Sequence, residues 1–196
     1  MSRDICIFQS FLTPAHKAQI TAAAEAAGMT PYFFTKDQFN AARDCVQHCE
    51  VLYAASPDLL RTAPATLKWY CASSAGVDAY CRDESLFANP NCLLSNSNAY
   101  GVTIAEHTVM VTLMLLRQMP TVQEWMRRHD WSNEKPPMRS VCGSRVTVLG
   151  TGDIGTSFAR RVKAMGAKTV VGVSRSGRRV DDAYDAMYTT AQLDQV

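Results

Sequence analysis

Residues 146–155 read VTVLGTGDIG. A β-branched, apolar run ends in Gly150-x-Gly152-x-x-Gly155, and a helix-like pattern, DIGTSFARRVKAMG (153–166), follows at once. Each glycine answers a physical need. Gly150 lets the backbone turn tightly after a strand, with Thr151 inside the turn. Gly152 has no Cβ, so a pyrophosphate can reach the main chain. Gly155 lets the helix pack close to the strand. The N–H groups of Asp153 and Ile154 then face the phosphates, aided by the helix dipole. The chemistry of such a turn is dinucleotide binding.

The end of the next strand, KTVVGVS (168–174), bears on which dinucleotide. A binder of NAD usually carries an Asp or Glu there, about 20 residues past the glycines, for the ribose hydroxyls. Here the chain reads GVSRSGRR (172–179), and no acid appears until Asp181. A carboxylate would repel a 2′-phosphate. Ser174 and Ser176 can donate hydrogen bonds to one, and Arg175 can pair with it through a fork of donors. NADP is therefore expected over NAD. The competing reading is a solvated basic turn.

These residues need a scaffold, and the pattern along the chain describes one. Apolar runs at 5–8, 31–35, 51–56, 67–74 and 92–97 alternate with helical stretches. One of these, 14–28, has Thr13 as N-cap, Pro14 in the first turn and Gly28 as stop. Strands separated by helices imply a parallel, doubly wound sheet. Residues 102–118, VTIAEHTVMVTLMLLRQ, predict a helix apolar on most of its surface and hence buried, with Pro120 ending or kinking it. A polar helix (121–131) and a Pro-Pro loop (132–140) follow. The second β-α-β pattern then begins, with two strands, 145–150 and 168–174, and a helix starting near Thr190. A sheet of two strands would leave an edge and an apolar helix surface uncovered.

Totals narrow the function classes. The chain has 196 residues, 47% of them hydrophobic, and a net charge of +2 from 20 basic and 18 acidic side chains. That balance suggests neither nucleic acid nor a membrane surface as partner. No apolar stretch approaches the roughly 20 residues needed to span a bilayer. Seven scattered cysteines, an odd number, suit a reduced cytoplasmic protein with free thiols. Cys45, His48 and Cys49 form half of a zinc pattern, without a second ligand pair, so no metal is expected.

Three ordered stretches carry a family resemblance: LKWYCASSAGVDAY (67–80), SNAYGVTIAEHTVMVTLMLLRQMP (97–120) and VTVLGTGDIG…VGVSRS (146–176). Together they resemble the D-isomer-specific 2-hydroxyacid dehydrogenases, more closely the glyoxylate/hydroxypyruvate reductase branch, over nearly the whole chain. The resemblance implies an α/β architecture of two domains with a cleft between them. Residues 1–100 would form a flavodoxin-like substrate domain. Residues 101–196 would hold the helix that crosses between domains and the first β-α-β part of a Rossmann nucleotide-binding domain.

The resemblance also assigns residues. SSAGVD is similar to the family's carboxylate loop, where Ser74, Ala75 and Gly76 would bind substrate through main-chain N–H groups. The residue types agree, because a small residue and a glycine after a strand leave donors uncovered for an anion. An ordinary strand-to-helix turn, with Asp78 near the helix start, is the alternative. Thr103 lies where the family faces its cofactor. The family's acid His, its Glu partner and its Arg clamp belong to a later part of the nucleotide domain, past Val196. His16, His48, His107 and His129 read as solvated or packing side chains, so no catalytic residue is expected here. The implied protein is an NADP-dependent oxidoreductase acting on glyoxylate or hydroxypyruvate, homodimeric and cytoplasmic, with this chain alone expected to lack turnover. The alternative is a non-catalytic NADP-binding sensor or scaffold on the same fold.

Overall fold

The computed structural model describes residues 3–131 and 136–196. It contains two compact units, residues 1–98 and 99–196. Both are parallel α/β structures.

The first unit has strands β1 (Asp4–Phe8), β2 (Thr30–Phe34), β3 (Cys49–Ala54), β4 (Trp69–Ala72) and β5 (Leu93–Ser95), in the order β2-β1-β3-β4-β5. This is the flavodoxin-like doubly wound order, and every pairing is parallel. Helices α1 (Pro14–Ala26), α2 (Phe39–Val46), α3 (Pro57–Arg61) and α4 (Asp78–Arg82) connect the strands. A parallel sheet is covered on both faces, so its strands read as apolar runs. Cys6, Leu52, Ala54, Leu59, Leu67, Tyr70 and Leu86 form its core. The hydroxyl of the buried Tyr70 donates to the Ala54 carbonyl at 3.1 Å and meets the Tyr80 hydroxyl at 3.1 Å. The helix ends follow local chemistry. The Thr13 side chain accepts from the N–H of His16 at 3.2 Å, and Gly28 leaves α1 at φ +68°.

The second unit has α5 (Gly101–Leu116), α6 (Met119–Arg127), β6 (Arg145–Leu149), α7 (Asp153–Ala164), β7 (Thr169–Ser174) and β8 (Ala186–Thr189). Its core joins Val141, Val148, Ala159, Val162, Val170 and Tyr184, with Leu113 and Leu116 of α5 packed against them.

Three expectations need correction here. The sheet has three strands, β6-β7-β8, rather than two. β8 pairs with β7 from Val171↔Ala186 to Ser174↔Thr189. It is four residues long and half-buried throughout, so it shows no alternation a sequence could reveal. Second, α5 is not buried all round. Gly101 and Ala105 are its buried residues, whereas Val102, Ile104, Met110, Val111 and Leu115 are exposed, Leu115 by 60%. One stripe of α5 packs on α7 and the core, and α6 also packs against the helix. Third, Pro120 neither ends nor kinks α5. The break lies at Gln118, at φ 55°, and Pro120 sits in the first turn of α6, where a missing N–H costs nothing. The predicted helix start at Thr190 is a 3-10 turn, Thr190–Gln195. Of the predicted loop 132–140, residues 132–135 lie outside the described residues, and the rest has no regular structure.

Candidate functional site

The glycine turn in the second unit is built as its sequence demands. β6 ends at Leu149, and Gly150 takes φ +94°, a conformation costly for any residue with a side chain. The N–H of Gly150 still reaches the Val173 carbonyl of β7 at 2.9 Å, so the turn begins flush with the sheet. A Cβ on Gly155 would lie 1.9 Å from the Gly150 carbonyl oxygen, so only glycine permits this approach of helix to strand. Around Gly152 the opposite holds. A Cβ there would meet nothing within 4 Å, which leaves the main chain open on that side.

Gly152 is the N-cap of α7, and this helix start has no side-chain cap among the described residues. The first N–H groups of α7, those of Asp153 and Ile154 among them, have no acceptor within the helix. A phosphate at this end would meet them and the positive end of the helix dipole. Thr156 helps to hold the turn, donating its hydroxyl to the Thr151 carbonyl at 3.1 Å.

Thr151, Gly152, Ser174, Arg175 and Ser176 line one open cleft. The sequence expected all five to bind cofactor, and the fold brings them together from two strand ends. Ser174 accepts from the N–H of Gly177 at 3.1 Å, and Ser176 from that of Arg178 at 3.3 Å. Each hydroxyl thus keeps its proton for another acceptor. Arg175 is exposed, and among the described residues it joins no ion pair. Asp181, the first acid after β7, is turned elsewhere. Its carboxylate accepts from Nε of Arg160 at 3.0 Å and from the N–H of Ala183 at 2.9 Å. The Arg160 guanidinium holds this carboxyl below its ordinary value.

Thr103 is exposed on α5 and donates to the Tyr100 carbonyl at 3.3 Å; it does not line the cleft. Gly101, to which the sequence analysis gave no role, lies against Asp153. A Cβ there would lie 2.3 Å from Oδ2 of Asp153, so the start of α5 and the start of α7 meet at a glycine. Only the spacing of two distant helix starts could have revealed it.

In the first unit, the predicted carboxylate loop runs between β4 and α4. Ala75 and Gly76 are exposed, and a Cβ on Gly76 would meet nothing within 4 Å. The loop's carbonyls are tied inward. Asn96 donates to the Ala75 carbonyl at 2.7 Å, and the Ser74 hydroxyl to that of Gly76 at 2.9 Å. Gln9 donates to the Ser73 hydroxyl at 2.6 Å. With its acceptors occupied, the loop offers little to repel an anion. Gln9 and Asn96 were also missed, although both follow the carboxyl ends of strands, where open α/β sheets bind ligands.

Among the described residues, no group of three or more His, Cys, Asp or Glu is placed to hold a metal ion. No helix there is long and apolar enough to cross a membrane.

Comparison with known proteins agrees with this geometry. Residues 109–196 match the NAD-binding domain of the D-isomer specific 2-hydroxyacid dehydrogenases. The chain is 32% identical over 106 residues to a D-lactate dehydrogenase of Staphylococcus epidermidis, an alignment covering 53% of the chain and 32% of that protein. The chain thus matches about a third of the length of this curated relative. Its fold is similar to a D-isomer specific 2-hydroxyacid dehydrogenase family protein from Aeromonas salmonicida, with a TM-score of 0.77 and 27% identity over 100% of this chain and 60% of that one. It is also similar in fold to an NADPH-dependent glyoxylate/hydroxypyruvate reductase from Sinorhizobium meliloti, solved with NADP and sulfate, with a TM-score of 0.71 and 24% identity over 99% of this chain and 58% of that one. Glycine turn, parallel sheets and matched relatives point the same way: residues 109–196 match the NAD-binding domain of the D-isomer-specific 2-hydroxyacid dehydrogenases, and the chain is similar in fold to part of a member of that family.

Proposed function

We propose that the chain binds NADP(H), in preference to NAD(H), as part of an oxidoreductase of the glyoxylate or hydroxypyruvate reductase type. One observation carries the preference. Beside Ser174 and Ser176 in the cleft of the glycine turn, Arg175 joins no ion pair among the described residues, while Asp181 is committed to Arg160. The N–H groups of Asp153 and Ile154 would hold the pyrophosphate, Gly152 would give it room, and Ser174, Arg175 and Ser176 would hold the 2′-phosphate. Once bound, the reduced nicotinamide supplies a hydride for a 2-keto acid. Ser74, Ala75 and Gly76 would orient the carboxylate of that acid through main-chain donors.

We assign none of this chain's residues to the family's acid, its carboxylate partner or its Arg clamp. By itself the chain is proposed to bind cofactor without turnover. Seven thiols, none in a disulfide, favour a reducing, cytoplasmic setting. The exposed apolar face of α5 favours a homodimer.

Calorimetric titration of NADPH and NADH into the chain and into Arg175→Asp tests the cofactor reading. Loss of a charge-assisted contact and gain of a repulsive carboxylate should lower NADPH affinity about 10- to 100-fold and leave NADH affinity nearly unchanged. An Arg175→Asp chain that binds NADPH as tightly as the parent would refute the reading.

A further inference from the structure

Three thiols meet at one place in the first unit, away from the carboxylate loop. Cys6 lies mid-strand in β1, Cys45 near the end of α2, and Cys49 at the start of β3. The sulfurs of Cys45 and Cys49 are 3.6 Å apart, close enough to bond after a small movement. Cys45 is half-buried and so open to a small reagent, whereas Cys49 and Cys6 are buried. Two turn residues, Gln47 and His48, separate α2 from β3. The pairing of β1 with β3 shifts register at this point, from Asp4↔Cys49 to Ile5↔Val51. Backbone at a helix end and a strand irregularity can adjust more readily than backbone inside a regular ladder. Cys6 has no such freedom. It is held in register with Tyr32 on one side and Leu52 on the other, and its thiol donates to the Ala42 carbonyl at 3.7 Å.

We propose that Cys45 and Cys49 form a peroxide-responsive dithiol, with Cys45 as the attacking sulfur and Cys49 as the resolving one. The site takes a small hydroperoxide. The Cys45 thiolate attacks the outer oxygen and the O–O bond breaks. The leaving alkoxide or hydroxide takes up a proton, leaving Cys45 as a sulfenic acid. The Cys49 sulfur then attacks the Cys45 sulfur. Its thiol proton and the departing hydroxide leave as water, and the disulfide closes. Two thiols are oxidised and one peroxide is reduced to water and an alcohol, or to two waters.

The electrostatics assist the attacking sulfur. Hydrogen bonding with the neighbouring Cys49 and then Cys6 thiols, with help from the charge of His48, draws the Cys45 thiol down, although burial opposes this; the Cys49 thiol also reaches the Cys45 carbonyl at 3.2 Å. The negative end of the short helix α2 also opposes it. The Cys49 and Cys6 thiols are pushed up, by their bonds to Cys45 and by burial; Asp4 adds to the effect at Cys49. The thiolate therefore belongs to the accessible member of the cluster.

The test uses the reduced 196-residue chain. In limited alkylation at about pH 6, read by peptide mass mapping, Cys45 should react about tenfold or more faster than the exposed Cys81 and Cys142. After stoichiometric hydrogen peroxide, non-reducing digestion should yield a linked Cys45–Cys49 peptide. Cys49→Ser should instead trap Cys45 as a sulfenic acid that a dione probe labels. Alkylation of Cys45 no faster than of Cys81 and Cys142 would overturn the proposal without any variant. So would peroxide-linked peptides that join other cysteines, and a Cys6–Cys45 link would remove Cys49 from its role.

Discussion

At Gly155, one missing methyl group decides whether helix and strand can approach. A Cβ there would fall 1.9 Å from the Gly150 carbonyl oxygen and 3.1 Å from Cγ1 of Val148. Backbone cannot yield as a flexible side chain can. Gly155→Ala should therefore cost about 1–3 kcal/mol, the usual range for overpacking, and move the start of α7 off β6. A chemical denaturation curve and an NADPH titration of the same variant check both effects. A variant with unchanged stability and unchanged affinity would show that the turn does not need this approach. The glycines at 150, 152 and 155 were readable because their constraint is local: strand, turn and helix lie within ten residues. Gly101 was not, because it matters through Asp153, 52 residues later, and no short pattern records that meeting. Gln9 and Asn96 escaped for the same reason. Each acts on the loop at 73–76 from a different strand end.

Among the elements, those with strong caps or long apolar runs match expectation. α1 begins at the Thr13 cap and stops before Gly28, and β7 is buried over its four central residues. β8 was invisible because a four-residue, half-buried edge strand has neither alternation nor a breaker to mark it. Its position comes from β7, which supplies the ladder, and from the core residue Tyr184 just before it. α5 shows the reverse error. Its composition was read correctly as apolar, but composition does not say what covers it. Within its own unit, one stripe packs on α7 and the core, and α6 also packs against the helix. Leu115, 60% exposed, lies outside that stripe. If a second copy of the chain covers this face, light scattering should give twice the chain's mass. Leu115→Asp should then shift the protein to monomer without lowering NADPH affinity. A monomeric parent chain, or a Leu115→Asp variant that stays dimeric, would contradict that arrangement.

Over the molecule as a whole, the chain divides into two parallel α/β units between residues 98 and 99. The first has the flavodoxin-like strand order, and the second carries the family's NAD-binding match. The account's central claim concerns the second: a glycine turn and a Ser-Arg-Ser strand end together hold NADP(H). Amide NMR of the labelled 196-residue chain tests this most directly. Added NADPH should shift the amides of Gly152, Asp153 and Ile154 together with those of Ser174, Arg175 and Ser176. NADH should move the first group at higher concentration and largely spare the second. Shifts confined to other segments, or equal responses of Ser174–Ser176 to both cofactors, would contradict the claim.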